Sequence, residues 1–267
     1  MRGITQSVSF FFDHIRRSKS FWVTVAGVLV MIAISALVSY TVFSNIDPGT
    51  AKAKMEQSYD FTLINLLNST VQLMVFIGLF TVAISVNSIL KRGVFDLFLS
   101  LPVRRWQILT GAFISGILFQ AAVLFALIMG VWLTHSAIFG IFYGEVLVWG
   151  FLNLLGFIIM FHFVLFVSFS FRSPIAGLLT AIAYSVVVSS ILYVFHEMVQ
   201  TSTNVWLRET INVLYWILPK STEFSSSFFM ADQALPEGHL LKLIISTVLF
   251  IFTVFGSTII IFEKKDY

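Results

Sequence analysis

Any chemistry in this chain has to come from a few polar side chains set in long apolar runs. Asn65, Asn68 and Gln72 recur at i, i+3 and i+7, so a helix through them presents all three on one face. Two readings are open for that face. It lines a substrate path or a dimer seam, or its amides tie neighbouring helices together at about 0.6 kcal/mol per hydrogen bond. Gln120, Asn153 and His162 each stand alone among apolar residues, the pattern of polar side chains that pair across helices. His135, His196, His239 and Glu197 are a donor set that suits Zn²⁺ or Cu²⁺. They come from separate segments without ligand spacing, so the expectation is solvated interfacial side chains and no metal site. No HExxH motif or Ser/His/Asp arrangement points to hydrolysis, and with no cysteine there is neither a thiolate nucleophile nor a disulfide framework. A G-x-x-x-x-G-K-[ST] loop is also missing; Pro219-Lys220-Ser221-Thr222 lacks the glycines whose backbone would cradle phosphate. The expectation is a chain with no catalytic residues and no cofactor of its own.

The elements that carry these residues follow from composition. Hydrophobic residues make up 58% of the 267 and charged residues 11%, against about 25% charged in soluble domains. That is too little charge to cover a water-facing surface, so the outer surface must face lipid. A spanning helix needs roughly 20 apolar residues, and six segments qualify: 21–43, 62–90, 108–133, 146–170, 174–195 and 240–262. These runs are too long for strands and lack the alternation of a barrel. The fold class expected is all-α, a single polytopic transmembrane domain over 1–267.

Basic residues set the orientation. Arg2, Arg16, Arg17 and Lys19 precede the first span. Lys91, Arg92, Arg104 and Arg105 follow the second, Arg172 sits between the fourth and fifth, and Lys264 and Lys265 close the chain. The other side carries Lys52, Lys54, Arg208, Lys220 and Lys242, diluted by most of the acids. Both termini are therefore expected on the cytoplasmic side. The net charge of +3 belongs to span ends and lipid headgroups, not to nucleic acid.

Three segments lie between or beside the spans. Residues 1–19 place Arg2, Gln6, Ser9, Asp13 and Arg16 on one helical face and Ile4, Val8, Phe11, Phe12 and Ile15 on another, the pattern of an interfacial helix. In 91–107, Gly93 allows a change of direction. Val94, Phe95, Asp96, Leu97, Phe98, Leu99, Ser100 and Leu101 then form a short apolar helix that Pro102 stops. Arg104, Arg105 and Trp106 anchor the re-entry. This helix is too short to span and too apolar to float, so it docks on lipid, on the chain's own helix ends or on another protein. In the extracytoplasmic segment 196–239, Thr203 or Asn204 caps an amphipathic helix with a Leu207, Ile211, Leu214, Leu218 stripe, partly tucked against the bundle and ended by Pro219. Finally, Gly111 with Ser115 and Ala112 with Gly116 give the third span a small-residue face for close helix contact.

In order and spacing these features resemble the permease subunit of an ABC-2 type ABC transporter. The basic amphipathic start is one likeness. A second is the stretch Gly93-Val94-Phe95-Asp96-Leu97-Phe98-Leu99-Ser100-Leu101-Pro102-Val103-Arg104-Arg105-Trp106, which is similar to that family's leucine-rich helix, Ser-x-Pro and basic residue. The large segment before the last span and the charged tail Phe262-Glu263-Lys264-Lys265-Asp266 complete it. Gly111-Ala112 stands where many relatives carry Gly-Lys. The resemblance implies that Val94–Leu101, with Arg104 and Arg105, is a coupling helix seated in a groove of a separate ABC ATPase subunit. It further implies a second permease copy, ATP and Mg in the partner ATPase, export, and the cytoplasmic membrane of a bacterium or archaeon. The competing expectation is a non-transport membrane scaffold or assembly factor with no ATPase partner.

Overall fold

The computed structural model describes residues 2–46, 52–90, 104–142, 144, 146–171, 173–201, 204–218, 224 and 239–264. Helices account for nearly all of them, with no strand among the described residues. The chain is an all-α, multi-pass membrane protein: six of these helical stretches are long and apolar enough to cross a bilayer. We label the helices α1 (Arg2–Arg17), α2 (Lys19–Ser44), α3 (Lys52–Leu90), α4 (Arg105–Phe139) and α5 (Val146–Phe171). The fifth crossing is composite: α6 (Pro174–Ala183), a π-helical turn at Tyr184–Val188, and α7 (Ser189–Gln200). α8 (Val205–Ile217) and α9 (His239–Lys264) complete the chain.

Helix ends follow local chemistry. Ser18 separates α1 from α2, and its hydroxyl accepts the Phe21 N–H at 3.1 Å. α4 ends at Gly140, whose φ of 70° and N–H bond to Ser136 O at 2.8 Å make a left-handed cap that a Cβ would strain. Between α5 and α6, Ser173 caps Ala176 N at 3.3 Å and Pro174 occupies the first turn, where no N–H is needed. Asn204 Oδ1 accepts Leu207 N at 3.2 Å and starts α8, which gives way at Leu218 just before Pro219.

The spans divide into an inner and an outer set. In the spanning windows of α3, α4 and α5, 56%, 50% and 61% of residues are buried; in α2, α6–α7 and α9 the figures are 17%, 22% and 11%. α4 is the hub, packed by α1, α2, α3, α5 and α9. Hydrophobicity gives no drive to bring helices together inside lipid, so small residues that permit close packing take over. α2 buries a narrow line of Thr24, Val28, Ser35 and Ser39, and Thr24 Oγ1 lies 3.0 Å from Thr81 Oγ1 of α3. Gly177 presses α6 so closely on α5 that a Cβ there would stand 2.5 Å from Val164 O. Aromatic rings fill the centre: Phe113 packs on Phe161 at 5.6 Å and on Phe255 at 5.0 Å, joining α4, α5 and α9.

Candidate functional site

The face predicted at Asn65, Asn68 and Gln72 forms, and it points out of the molecule. α3 buries Tyr59, Leu63, Leu67, Val71 and Met74 on one side, all at 2% exposure or less. Asn65, Ser69 and Gln72 are exposed on the other side and Asn68 is half-buried. Asn65 Nδ2 donates to Phe61 O of its own helix at 2.7 Å. Among the described residues, Asn68 and Gln72 hydrogen-bond to no other helix. Gln72 lies well inside the part of α3 that is long and apolar enough to cross a membrane, Met55–Ser85 among the described residues. A primary amide facing hydrocarbon without a partner costs several kcal/mol in the limit of no hydrogen bonding, so this face needs either water or a protein neighbour.

The other predicted locus is the cytoplasmic segment. Val94, Phe95, Asp96, Leu97, Phe98, Leu99 and Leu101 lie outside the described residues. The helix that follows is described from its first turn: Arg104 N–H donates to Gln107 Oε1 at 3.0 Å, and Arg105 begins α4. Along these first turns of α4 lies α1. A Cβ added at Gly3 would meet Gln107 Oε1 at 2.8 Å; one added at Gly111 would meet Ser7 C at 3.0 Å and Val8 N at 3.1 Å. Ser115 Oγ lies 2.9 Å from Val8 O and 2.6 Å from Gly111 O of its own helix, so its one proton is shared between the two carbonyls. Ser7, Phe11 and Ile15 are buried, while Gln6, Ser9 and Arg16 stay exposed. The small-residue face of α4 thus serves two sets of neighbours. Gly111 and Ser115 receive α1, and Gly116 receives Phe161 of α5 and Val82 of α3. The N-terminal helix is a splint along the start of α4, directly after the segment 91–107.

The isolated polar residues fall into two kinds. Gln120 does bridge helices: its Nε2 donates to Met74 O at 3.3 Å, and a Cβ on Gly78 would fall on its carboxamide. Asn153 Nδ2 instead donates to Trp149 O of its own helix at 3.0 Å, and His162 Nδ1 likewise lies 2.7 Å from Ile158 O. Both were expected to pair across helices. An acceptor one turn back on the same helix is always in reach of a short polar side chain and wins here. His162 is buried against Phe113, ring centroids 4.2 Å apart, and its Nε2 has no hydrogen-bond partner among the described residues.

His135 was expected at a solvated interface and is instead fully buried. Two elements that sequence spacing could not bring together hold it. Nδ1 lies 2.7 Å from Ser39 Oγ of α2, Nε2 lies 3.2 Å from Tyr59 O of α3, and the Tyr59 ring packs against it with centroids 4.6 Å apart. Tyr59 Oη in turn meets Ser136 Oγ at 2.9 Å. The Tyr59 carbonyl can only accept, so Nε2 carries the proton toward it, while the single Ser39 hydroxyl proton lies between two acceptors, His135 Nδ1 and Ser35 O at 2.6 Å. The sequence signal was the spacing of Ser35 and Ser39, one turn apart in α2. His196 stacks on Tyr215 at 3.7 Å, binding α7 to α8. No group of three or more potential metal ligands occurs among the described residues.

The predicted α8 forms from its Asn204 cap, and of its stripe Ile211 and Leu218 are half-buried. Leu207 and Leu214 are each 46% exposed, and the residue α8 buries is Tyr215, at 2%. No protein-family model matches the chain, and no curated protein matches it either.

Proposed function

We propose that this chain is the membrane-spanning subunit of an ATP-driven transporter of the ABC-2 type, an exporter that works as two permease copies with two separate ATPase subunits. The observation that carries the reading is the amide face of α3. Asn65, Ser69 and Gln72 are exposed within a crossing helix whose opposite side is fully buried. Polar groups held in a membrane span face the interior of an assembly or a water-filled path, not lipid. Meeting the same face of a second copy gives those amides partners and makes the seam between copies the path.

Energy enters through Val94–Leu101, with ATP and Mg held by the partner ATPase. A push on that helix reaches Arg104 and Arg105 at the start of α4. Because α1 is bound along Gln107, Gly111 and Ser115, α1 and α4 move as one body against α3. Both termini then lie in the cytoplasm and the protein in the cytoplasmic membrane of a bacterium or archaeon, with α8 on the far side. The gating motion is a rigid-body rocking between copies.

The test is co-purification with the cognate ATPase after replacing Phe95, Leu97 and Phe98 together with Glu. Loss of the ATPase, with the permease still folded and membrane-inserted, is expected. An intact complex refutes the coupling role and leaves a scaffold without an ATPase as the better reading. For topology, Ser18→Cys and Ser226→Cys should be labelled from opposite sides of the membrane; labelling of both from outside overturns it.

A further inference from the structure

We infer that the groove between α8 and α9 is a binding site for one anionic, acyl-chain lipid of the leaflet on the side away from α1. The groove has a volume of about 650 Å³ and is walled by Trp216 and Ile217 of α8 and by Ile245, Leu249 and Phe250 of α9, with Lys242 at one end. Its geometry matches half a bilayer. From Lys242 to Thr253 the lining residues run down one side of α9, a rise of about 16 Å at 1.5 Å per residue, against a hydrocarbon core about 30 Å thick.

Chemistry divides the groove into a head and a tail. Below Lys242 the wall is apolar in effect. The two hydroxyls that line it are already engaged with their own helix, Ser246 Oγ with Leu243 O at 3.0 Å and Thr253 Oγ1 with Leu249 O at 2.9 Å. They ask nothing of an occupant, so a hydrocarbon chain desolvates no unpaired polar group there. At the upper end, Lys242 is exposed and makes no ion pair among the described residues. Its position about two turns above Leu249, at the start of the crossing stretch Leu241–Lys264, is headgroup level.

Fixed walls distinguish this groove from ordinary lipid-facing surface. The Trp216 indole N–H donates to Asn212 Oδ1 at 3.1 Å, which holds the ring in place. Phe250 is braced by Phe163 of α5 at 5.6 Å. By contrast, the apolar groove between α4 and α5, lined by Phe125, Leu147 and Phe151, carries no charge at all and has nothing to select a headgroup. A single cation over a rigid apolar slot one leaflet deep selects an anionic amphiphile over a zwitterionic one.

The full-length protein in phosphatidylcholine nanodiscs, doped with phosphatidylglycerol bearing a photoactivatable acyl chain, provides the test. Labelling is mapped by mass spectrometry. The expected adducts fall on the Ile245–Leu249 face of α9, and Lys242→Gln lowers them about fivefold, the worth of one Lys beside an anionic headgroup. Phosphatidylcholine with the same photoactivatable chain should label that face weakly, and equally in wild type and Lys242→Gln. Leu249→Trp, which fills the slot and leaves Lys242 in place, should abolish phosphatidylglycerol labelling there. Equal labelling by both lipids in the wild type, or labelling unmoved by Lys242→Gln, overturns the site. So does copy-to-copy cross-linking through Ile245→Cys, which makes a second copy the occupant.

Discussion

Replacing Gly111 by leucine tests the splint between α1 and α4. The built Cβ at position 111 meets backbone atoms, Ser7 C at 3.0 Å and Val8 N at 3.1 Å. A backbone cannot swing aside as a flexible side chain does, so α1 must retreat as a unit. What holds α1 is the close packing of Phe11 and Ile15, each 3% exposed, plus a Ser115–Val8 hydrogen bond worth at most about 1 kcal/mol, since the same hydroxyl also meets Gly111 O at 2.6 Å. Overpacking of such a contact costs about 1–3 kcal/mol. That is enough to raise the undocked population by about 5- to 150-fold without removing α1 from the membrane surface. The chain has no native cysteine, so a single introduced thiol reports cleanly. Ser7→Cys is nearly isosteric at a site 4% exposed. Maleimide labelling there should be slow in the otherwise native chain. Adding Gly111→Leu should speed it by at least about fivefold, the low end of that range. Ser9→Cys, on the exposed face, serves as the control and should label equally in both. Labelling at Ser7→Cys that stays within about twofold between the two backgrounds, below that range, refutes the docking of α1 on α4.

Other consequences follow from the polar contacts. His135→Ala leaves Tyr59 O and Ser39 without their imidazole partner and should destabilise the detergent-solubilised protein by about 1–3 kcal/mol; an unchanged thermal unfolding midpoint contradicts the network. Gly78→Ala should cost about 1–3 kcal/mol by displacing the Gln120 carboxamide, and most of that should vanish in Gly78→Ala/Gln120→Ala, a coupling that two independent sites would not show. Asn204→Ala should cost about 1 kcal/mol and fray the start of α8, read as faster amide exchange at Val205–Leu207; no change there argues that α8 is held only by the Tyr215–His196 stack.

Much of the fold was legible because lipid imposes so few options. Long apolar runs with basic flanks can only be helices, and the small-residue spacing Gly111, Ser115 and Ala112, Gly116 announced close contact on both sides of α4. The partner of that face was not legible. Nothing in residues 2–17 distinguishes an amphipathic helix that rests on lipid from one pressed into a glycine notch, since both need Phe11 and Ile15 on one side. His135 was misjudged for a related reason. A histidine near the end of an apolar run looks interfacial until Ser39 and Tyr59, far away in sequence, arrive beside it. The α3 amides were legible as a face, and only the packed structure decides which way that face turns. The π-helical turn at Tyr184–Val188, where Ser189 N–H reaches back to Tyr184 O, has no signature in its apolar sequence.

Transport at a seam between copies requires that the α3 amide face meet a second copy. Gln72→Cys, as the only cysteine in membranes of cells producing the full chain, is oxidised and run under non-reducing conditions beside Phe125→Cys, an α4 position 63% exposed on the apolar surface. A covalent dimer from Gln72→Cys and only monomer from Phe125→Cys is the expected result. Monomer from both, or equal dimer from both, contradicts the seam.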